Sequence, residues 1–506
     1  MGAVAKGSPA DAPPETAPRR QLVLVTGATG YVGGRLIPAL LGNEGVRVRC
    51  LARTPAKLDA VPWRSSVEVV GGAVGGNLGA AITGVDTVVY LVHSIGQGRD
   101  WVRNELADAC NVAEHARAAG VRRIVYLGGL GRDRDNLSMH LRSRHEVGRA
   151  LAASGIPTVE LRAGVIIGSG SMSFEMLRYL VEVLPVMVAP RWVTTRCQPI
   201  AIADVVAYLA RAVVTTDARP GVYEIGGADV VSYAQMMDVY ARAAGLPKRW
   251  IISVPVLTPS LSSRWIGLVT PLPVPLAREL VESLVNEVVV DDNRAAETFG
   301  VEPMGLAEAI GRALAAVERT TVPTTWSGAD LTHFAPLATD PAWAGGTSLT
   351  DVRHATTWAT PQAVYDTIAA IGGERGWYSG DVLWKIRGLL DKLVGGPGLR
   401  KGRKRTIGVG DAIDFWRVEE LTPRQRVRLR AEMVLPGRAW LTWDIAPAVE
   451  GTQVTQSATF RPRGLWGRAY WLAVAPFHRF VFPGMLAGIL ADAETRSPPV
   501  PADPAG

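Results

Sequence analysis

Thr26-Gly27-Ala28-Thr29-Gly30-Tyr31-Val32-Gly33 is the stretch that decides the fold of the first part of this 506-residue chain. It directly follows the β-branched run QLVLVT (21–26) and opens a segment of helical character. At such a junction Gly27 permits the tight strand-to-helix turn, Gly30 lets backbone N–H groups approach a pyrophosphate, and Gly33 allows close packing of helix on strand. The motif therefore predicts a dinucleotide site formed by Gly27, Ala28, Thr29, Gly30, Tyr31, Val32 and Gly33.

The sequence around this motif alternates short apolar runs with helical patterns. Helical patterns include residues 101–119 and 139–154, and Pro38 falls inside the first helix, where it removes an internal hydrogen bond. The alternation predicts an α/β domain of Rossmann type, with a doubly wound parallel sheet covered on both faces. Residues 163–320 continue in mixed form and are interpreted as an elaboration of the same domain. The strand candidates are 21–26, 46–51, 67–70, 86–92, 122–128 and 156–162.

The composition changes after Thr320. Ten of the fifteen tryptophans lie between Trp326 and Trp471, and strand-like runs replace the alternation of strand and helix. In one run, residues 426–434, apolar and charged side chains alternate with period two, which is typical of an antiparallel sheet with one face in water. A helical stretch, residues 471–493, closes the segment. The other strand-like runs are 411–418, 439–445 and 453–460.

The end of the second strand favours NADP over NAD. A domain that reads the free ribose hydroxyl of NAD places an acidic residue there, whereas this chain has Ala52 and Arg53. Arg53 can form charge-assisted hydrogen bonds with a 2′-phosphate, and Arg35 in the first helix could assist it. The alternative is that Arg53 is an ordinary surface residue, so NAD stays open.

Together these segments resemble a known family. The motif TGATGYVGG (26–34), YLVHS (90–94), residues 140–170 and residues 199–205 resemble the extended and atypical short-chain dehydrogenase/reductases (SDRs), especially the NmrA-like group. The resemblance covers roughly residues 21–320 and implies a nicotinamide cofactor. We expect an NAD(P)-binding domain at 19–322, with a disordered tail at 1–18.

The second half of the chain is similar to a domain of unknown function that bacterial proteins carry after such a nucleotide-binding domain. That domain is in turn similar to the START-like (SRPBCC) helix-grip fold, an α+β fold with an antiparallel sheet, which implies an apolar ligand cavity. We expect this domain at 326–496, a boundary near 320–326 and a disordered tail at 497–506. The candidates to line the cavity are Trp416, Trp440, Trp443, Trp466 and Trp471.

The catalytic residues of the family are missing. Its working enzymes use a Ser and a Tyr-x-x-x-Lys pair, in which Tyr moves a proton and Lys lowers its pKa. Here Leu127-Gly128-Gly129-Leu130 replaces the Ser, and His140 and Arg144 replace Tyr and Lys. His140 can exchange a proton near neutral pH, whereas Arg144 can only orient a ribose or a substrate. The alternative is that both, like Ser143, are helical surface residues, so the catalytic residues stay unknown.

Two further positions bear on the cofactor. His93 follows the fourth strand at the expected nicotinamide end of the cleft, so it is a candidate cofactor-binding residue, with a structural histidine as the alternative. After the third strand, Gly72-Ala73-Val74 replaces the Asp with which relatives contact adenine. Backbone contacts would have to replace that carboxylate.

Charge and cysteine content limit the partners. Residues 400–405 supply five positive charges of the net +7, which leaves 49 basic against 47 acidic residues elsewhere. One basic loop without a nucleic-acid-binding motif predicts no nucleic acid, while contact with a membrane surface stays open. Cys50, Cys110 and Cys197 are far apart, which predicts neither a disulfide framework nor a metal site and favours the cytoplasm. Residues 251–277 and 469–491 are the most apolar stretches, but Arg or Pro interrupts each, so no spanning helix is predicted.

These observations predict an NAD(P)-binding, oxidoreductase-like protein that acts on or senses a hydrophobic small molecule held by the second domain. One alternative is a nucleotide sensor or scaffold without catalysis. A second is a protein that handles lipids or quinones and carries a regulatory nucleotide domain. The oligomeric state is not readable from the sequence.

Overall fold

The structure is a computed structural model of the whole chain. It describes residues 19–93, 100–132, 136–215, 217–254, 274–319, 337, 339–340, 348–372, 376–380, 384, 387–388, 391, 407–448 and 451–497. The expected tail at 1–18, residues 498–506 of the expected tail at 497–506, the boundary at 320–326 and the basic run 400–405 lie outside the described residues. Ser497, the first residue of the expected second tail, is buried.

A seven-stranded parallel sheet forms the centre of the first domain. Its strand order is β11-β6-β5-β4-β1-β2-β3, and all six pairs are parallel. Strand β1 lies between β2 and β4, so the chain reverses its winding direction there and leaves a crevice at the carboxyl ends of β1 and β4. The seven strands are β1 (Gln21–Thr26), β2 (Val46–Ala52), β3 (Glu68–Gly71), β4 (Thr87–Tyr90), β5 (Arg123–Gly129), β6 (Thr158–Ala163) and β11 (Gly221–Ile225).

Helices cover both faces of this sheet. Two separate hydrophobic clusters, one on each face, contain alternate residues of the strands, such as Val23 and Val25 on one side and Leu22 and Leu24 on the other. The predicted Rossmann-type architecture is therefore confirmed, and Pro38 lies inside α1 as expected. The helices up to residue 214 are α1 (Tyr31–Leu41), α2 (Gly79–Ile82), α3 (Trp101–Ala118), α4 (Met139–Ala152), α5 (Met172–Val183) and α6 (Ile202–Val214).

The chain after β6 builds a roof over one end of the sheet. Three two-stranded ribbons, β7 with β10, β9 with β12 and β8 with β13, hold the intervening helices in place. The ribbon strands are β7 (Ile166–Ile167), β8 (Val186–Pro190), β9 (Arg196–Cys197), β10 (Ile200–Ala201), β12 (Val231–Ser232) and β13 (Trp250–Val254). The helices are α7 (Tyr233–Ala243), α8 (Val274–Ser283), α9 (Arg294–Phe299) and α10 (Leu306–Arg319).

The second domain has a six-stranded antiparallel sheet. Its order is β14-β19-β18-β17-β16-β15, and Val427 and Leu429 on one face are buried, as their alternation with Arg426 and Arg428 predicts. Helices α11 (Pro361–Ala369) and α12 (Gly464–Arg496) pack against it. The antiparallel sheet and the closing helix are confirmed, while the helix-grip fold stays a prediction. The strands are β14 (Leu349–Thr357), β15 (Ala412–Ile413), β16 (Trp416–Thr422), β17 (Arg426–Ala431), β18 (Gly437–Ala448) and β19 (Gly451–Pro462).

Helix α12 begins against the first domain. Arg463, the residue before it, donates from Nη2 to the carbonyl oxygen of Ala244 at 2.6 Å and to that of Gly245. Among the described residues, α12 is the one helix that by length and composition alone could cross a membrane. Inside the protein, 28% of its most apolar window is buried.

Candidate functional site

The glycine motif has the geometry of a phosphate-binding turn. Gly27 has φ +77°, a region that only glycine adopts freely, and it accepts a hydrogen bond from the Gly30 N–H at 2.9 Å. A Cβ on Gly33 would lie 2.3 Å from the Gly27 carbonyl oxygen, so a side chain there would open the turn. The turn leaves the first N–H groups of α1 free to bind an anion, and these residues fit a dinucleotide.

A buried ion pair joins α1 to the segment that contains Asp340. Arg35 donates to both carboxylate oxygens of Asp340, at 2.9 and 2.7 Å, and the two side chains are 1% and 5% exposed. Arg35 also donates to the carbonyl oxygen of Tyr31, and Asp340 accepts from the Leu337 N–H at 3.0 Å. The expectation that Arg35 assists a 2′-phosphate is therefore wrong, because its guanidinium is already bound within the protein.

A cavity of about 430 Å³ extends from the glycine motif into the first domain. Loops after β1, β4, β5 and β6 form one end, and the roof forms the other. The roof contributes almost only apolar side chains, from α5, α7, α8 and the turn after β8: Met176, Leu177, Leu180, Trp192, Tyr233, Met236, Met237, Leu280 and Leu284. Because β1, β4, β5 and β6 are neighbours in the sheet, the cavity leads from the nucleotide motif to an apolar chamber.

Two histidines and an arginine lie on the wall of this cavity. His93 follows β4, while His140 and Arg144 are one turn apart on α4. Nδ1 of His140 and Nη1 of Arg144 are buried without a hydrogen-bond partner, although Nη2 of Arg144 donates to the Leu127 carbonyl oxygen. Buried polar atoms without a partner are costly, and in a cavity wall they are the atoms that a ligand satisfies. The alternative interpretation of His140 and Arg144 as surface residues is therefore wrong.

His140 is neutral at physiological pH. Burial, together with the positive charge of Arg144, lowers the pKa of His140 to about 3. A neutral imidazole can donate or accept a hydrogen bond, but it holds no dissociable imidazolium proton near pH 7. Arg144 is thus the permanent positive charge among these three residues.

Side chains of α4 lie close to the end of β5, where a serine would stand. A Cβ on Gly129 would lie 2.9 Å from Cδ2 of Leu141 and 3.6 Å from Cγ of Arg144, so side chains of α4 occupy that space. Ser143, expected on the helix surface, is instead 1% exposed and donates to Oε2 of Glu105 at 2.7 Å. That expectation is wrong because α3 packs directly against this face of α4.

The end of β2, where the adenosine half of a dinucleotide is expected, lies outside the cavity. Arg53 lies exposed just after β2, outside the cavity wall, where its charge acts on Asp108 of α3. Burial nevertheless raises the pKa of Asp108 above its usual range. Beyond β3, the carbonyl oxygen of Val74 accepts from Nδ2 of Asn111 at 2.6 Å. The role of Arg53 in choosing NADP stays a prediction.

Sequence reasoning missed two parts of the site. Asp340 lies 305 residues beyond Arg35, and no local pattern connects them. The apolar roof was assigned only as an elaboration of the domain, although the spacing of Met236 and Met237 with Tyr233 on α7, and of Met176, Leu177 and Leu180 on α5, gives each helix an apolar face. Amphipathic faces on helices that follow β6 are therefore the signal that could have located the chamber.

The candidate tryptophans of the second domain do not line this cavity. Trp416, Trp440 and Trp443 are buried, with Nε1 of Trp440 donating to Glu419 and Nε1 of Trp443 to Gln456. The other two lie on α12: Trp466 is exposed, and Trp471 stacks on Phe460 with ring centroids 5.8 Å apart. Among the described residues none of 349–496 lines the cavity, so a ligand of the second domain stays a prediction. The described residues also bring together no cluster of His, Cys, Asp or Glu side chains that could hold a metal ion.

Comparison with protein families divides the chain in the same way. Residues 27–166 match the family described as NAD(P)H-binding. Residues 343–485 match a family described as protein of unknown function (DUF2867). The first domain is thus an NAD(P)H-binding domain. A search of curated protein sequences finds no match.

Several solved structures match this chain over 57% of its length. One is an NADPH-dependent quinone oxidoreductase from Escherichia coli in complex with NADPH, with 23% identity over 57% of this chain and 98% of that chain and a TM-score of 0.47. A triphenylmethane reductase from Citrobacter with NADP(H) has 19% identity over 57% and 99%, with a TM-score of 0.47. A nucleoside-diphosphate-sugar epimerase from Staphylococcus aureus has 17% identity over 57% and 100%, also with a TM-score of 0.47.

Proposed function

We propose that this protein is an NADPH-dependent reductase of an apolar carbonyl, enone or quinone compound, and that the compound binds in the chamber of the first domain. The observation that carries the proposal is the continuity of the cavity between the glycine motif and the apolar roof, with His93, His140 and Arg144 on its wall. A roof of Met, Leu and Trp side chains favours a hydrophobic substrate over a sugar or another polar one.

The glycine motif holds the phosphates of the cofactor in this proposal. Backbone N–H groups at the start of α1 bind the pyrophosphate, and a phosphate on the adenosine ribose would meet the exposed Arg53. The bound nicotinamide supplies a hydride. The walls of the chamber beside the carboxyl ends of β4, β5 and β6 are largely apolar, so they offer water few hydrogen-bond partners around the substrate.

Arg144 and His140 act on the substrate oxygen. Reduction of a carbonyl or quinone places negative charge on that oxygen, and the unpartnered Nη1 of Arg144 can stabilise it. His140 is neutral, so it offers the oxygen a hydrogen bond rather than the proton of an imidazolium. The substrate takes a hydride from NADPH, and the proton that completes the reduced product comes from solvent. The site thereby replaces the Tyr and Lys pair of related enzymes by a fixed positive charge and a neutral hydrogen-bonding ring.

The test has two stages with purified full-length protein. NADPH binding is first measured by calorimetry for the wild type, for Gly33→Ala and for Gly311→Ala. Gly33→Ala should weaken binding at least about a hundredfold because its Cβ opens the turn. Gly311 lies exposed on α10 with no atom within 4 Å of an added Cβ, so Gly311→Ala should bind as the wild type does.

NADPH oxidation is then followed with a panel of quinones and apolar carbonyl compounds. Arg144→Met should lower kcat by about 10²-fold or more, and His140→Asn by a smaller factor. Turnover that neither change affects would contradict the assigned roles. If NADPH binds but no compound in the panel is reduced, the function is not reduction of this class.

A nucleotide sensor is the second candidate, and one observation favours it. The space that a catalytic serine would need beside Gly129 is filled by Leu141 and Arg144. A sensor would bind NADPH through the same turn and would use the chamber to hold a regulatory ligand. NADPH binding without oxidation, together with a change in NADPH affinity when an apolar ligand is added, is the result that supports it.

A further inference from the structure

Helix α12 exposes a continuous apolar face along its first half. Trp466, Leu472 and Phe480 are 82%, 74% and 77% exposed, and Leu465 and Phe477 are about half exposed. Residues 466, 469, 473, 476 and 480 follow each other at helical spacing, so they form one stripe on the same side of the helix. From Leu465 to Phe480 this stripe is about 22 Å long. We name it the α12 apolar face.

The opposite side of the same helix is packed against the protein. Trp471 stacks on Phe460 of β19, and its ring centroid is 4.8 Å from that of His478. In the second half of the helix, Met485 and Ile489 are fully buried in the core of the second domain. A helix that crossed a bilayer would have to give up these contacts. The helix is therefore suited to lie along a surface rather than to span a membrane.

Along the α12 apolar face, the charged residues of the helix itself are all basic. Residues 464–491 contain no Asp or Glu, while Arg468 and Arg479 are eleven residues apart, so about three turns separate them along one edge of the stripe. Arginines at the edge of an exposed Trp, Phe and Leu face are typical of helices that lie in the headgroup region of anionic bilayers. Arginine can insert its aliphatic stem beside acyl chains while its guanidinium stays with the phosphates.

We propose that the α12 apolar face docks this protein on the surface of an anionic membrane. The surface is independent of the cavity in the first domain, so this proposal does not rest on the proposed function. Charge complementarity selects a bilayer of anionic lipid over a second copy of the chain, because two copies meeting through this face would bring their arginines together.

Vesicle flotation with the full-length protein tests the proposal. Vesicles of equimolar phosphatidylcholine and phosphatidylglycerol are compared with vesicles of phosphatidylcholine alone, at low and high salt. The wild type should float with the anionic vesicles at low salt and much less with the neutral ones. The triple variant Trp466→Ser, Leu472→Ser, Phe480→Ser should lose binding by about tenfold or more, because three apolar side chains no longer enter the lipid.

Two further variants separate apolar and electrostatic contributions. Trp358→Ser changes another exposed tryptophan of the second domain, near the far end of α12, and should bind as the wild type does. Arg479→Glu should weaken binding to anionic vesicles only. The four substituted residues of α12, which are Trp466, Leu472, Arg479 and Phe480, have exposed side chains. The unfolding midpoints of these variants should therefore match that of the wild type.

Several results would overturn the proposal. The first is a wild type that stays with the soluble fraction, and the second is a triple variant that floats as the wild type does. The third is a dimer, seen by light scattering, that the triple variant converts to a monomer without any vesicle binding. Protein that resists alkaline extraction from membranes of expressing cells would show a spanning helix instead.

Discussion

The two domains of this protein differ in where their buried polar side chains lie. At the carboxyl ends of the parallel sheet, His140 and Arg144 keep buried nitrogen atoms without partners around a cavity. In the antiparallel domain, the indole N–H groups of Trp377, Trp440 and Trp443 donate to Asp414, Glu419 and Gln456. Buried polar atoms without a partner also occur in the second domain, such as Nε1 of Trp416, but no described residue of 349–496 lies on the wall of that cavity. Chemistry is thus expected in the first domain, and the buried tryptophans serve the stability of the second.

Removal of Trp443 is the strongest test of that difference. Trp443→Ala should lower the free energy of unfolding of the second domain by about 3 to 5 kcal/mol, because it leaves a cavity and removes the donor to the buried Oε1 of Gln456. NADPH affinity should not change. Trp466→Ala, which removes an exposed indole, is the matched control and should stay within about 0.5 kcal/mol in urea unfolding. A loss of NADPH binding in Trp443→Ala would mean that the two domains are not functionally separate.

The Arg35–Asp340 pair tests whether a buried polar group of the first domain can be purely structural. Asp340→Leu alone should destabilise the protein by about 3 to 5 kcal/mol, since it leaves the Arg35 charge buried without its carboxylate. The double variant Arg35→Met, Asp340→Leu should recover most of that loss in the same denaturant titration. If the single variant is as stable as the wild type, the pair does not anchor the segment at 337–340.

Acid should destabilise the first domain through His140. In the folded protein the pKa of His140 is about 3, against about 6.5 in an unfolded chain. Between these values the unfolded chain binds a proton that the folded chain does not, so stability is complete above about pH 6.5 and falls as the pH decreases. Urea unfolding of His140→Asn should therefore depend less steeply on pH between about pH 6.5 and pH 4. If the pH dependence of urea unfolding is the same in His140→Asn as in the wild type, His140 is exposed to water in the folded protein.

Substitution of Arg53 should have the smallest effect. Arg53→Ala should weaken NADPH binding by about five- to tenfold while NADH binding stays the same, because only the 2′-phosphate loses a charge partner. Calorimetric titration with both nucleotides measures the ratio. Equal affinity of the wild type for NADH and NADPH would show that Arg53 does not select the cofactor.

Local sequence determined the nucleotide-binding half of the site. The turn at Gly27, Gly30 and Gly33 depends on contacts between residues at most six positions apart, so the local sequence specifies its geometry. The parallel sheet followed from β-branched runs at regular intervals, and the antiparallel sheet from the alternation at Val427 and Leu429. Short-range constraints of this kind act on the backbone before any tertiary contact forms.

Tertiary structure alone decided the rest. Arg35 meets Asp340 across 305 residues, and His93 reaches His140 only because β4 and β5 are neighbours in the sheet. The position of the apolar cavity in the first domain, and not among the tryptophans of the second, depends on how α5, α7 and α8 pack over the sheet. The exposure of Trp466 and Phe480 likewise depends on which side of α12 the sheet covers. Such outcomes are set by packing between distant segments, which no single stretch of sequence specifies.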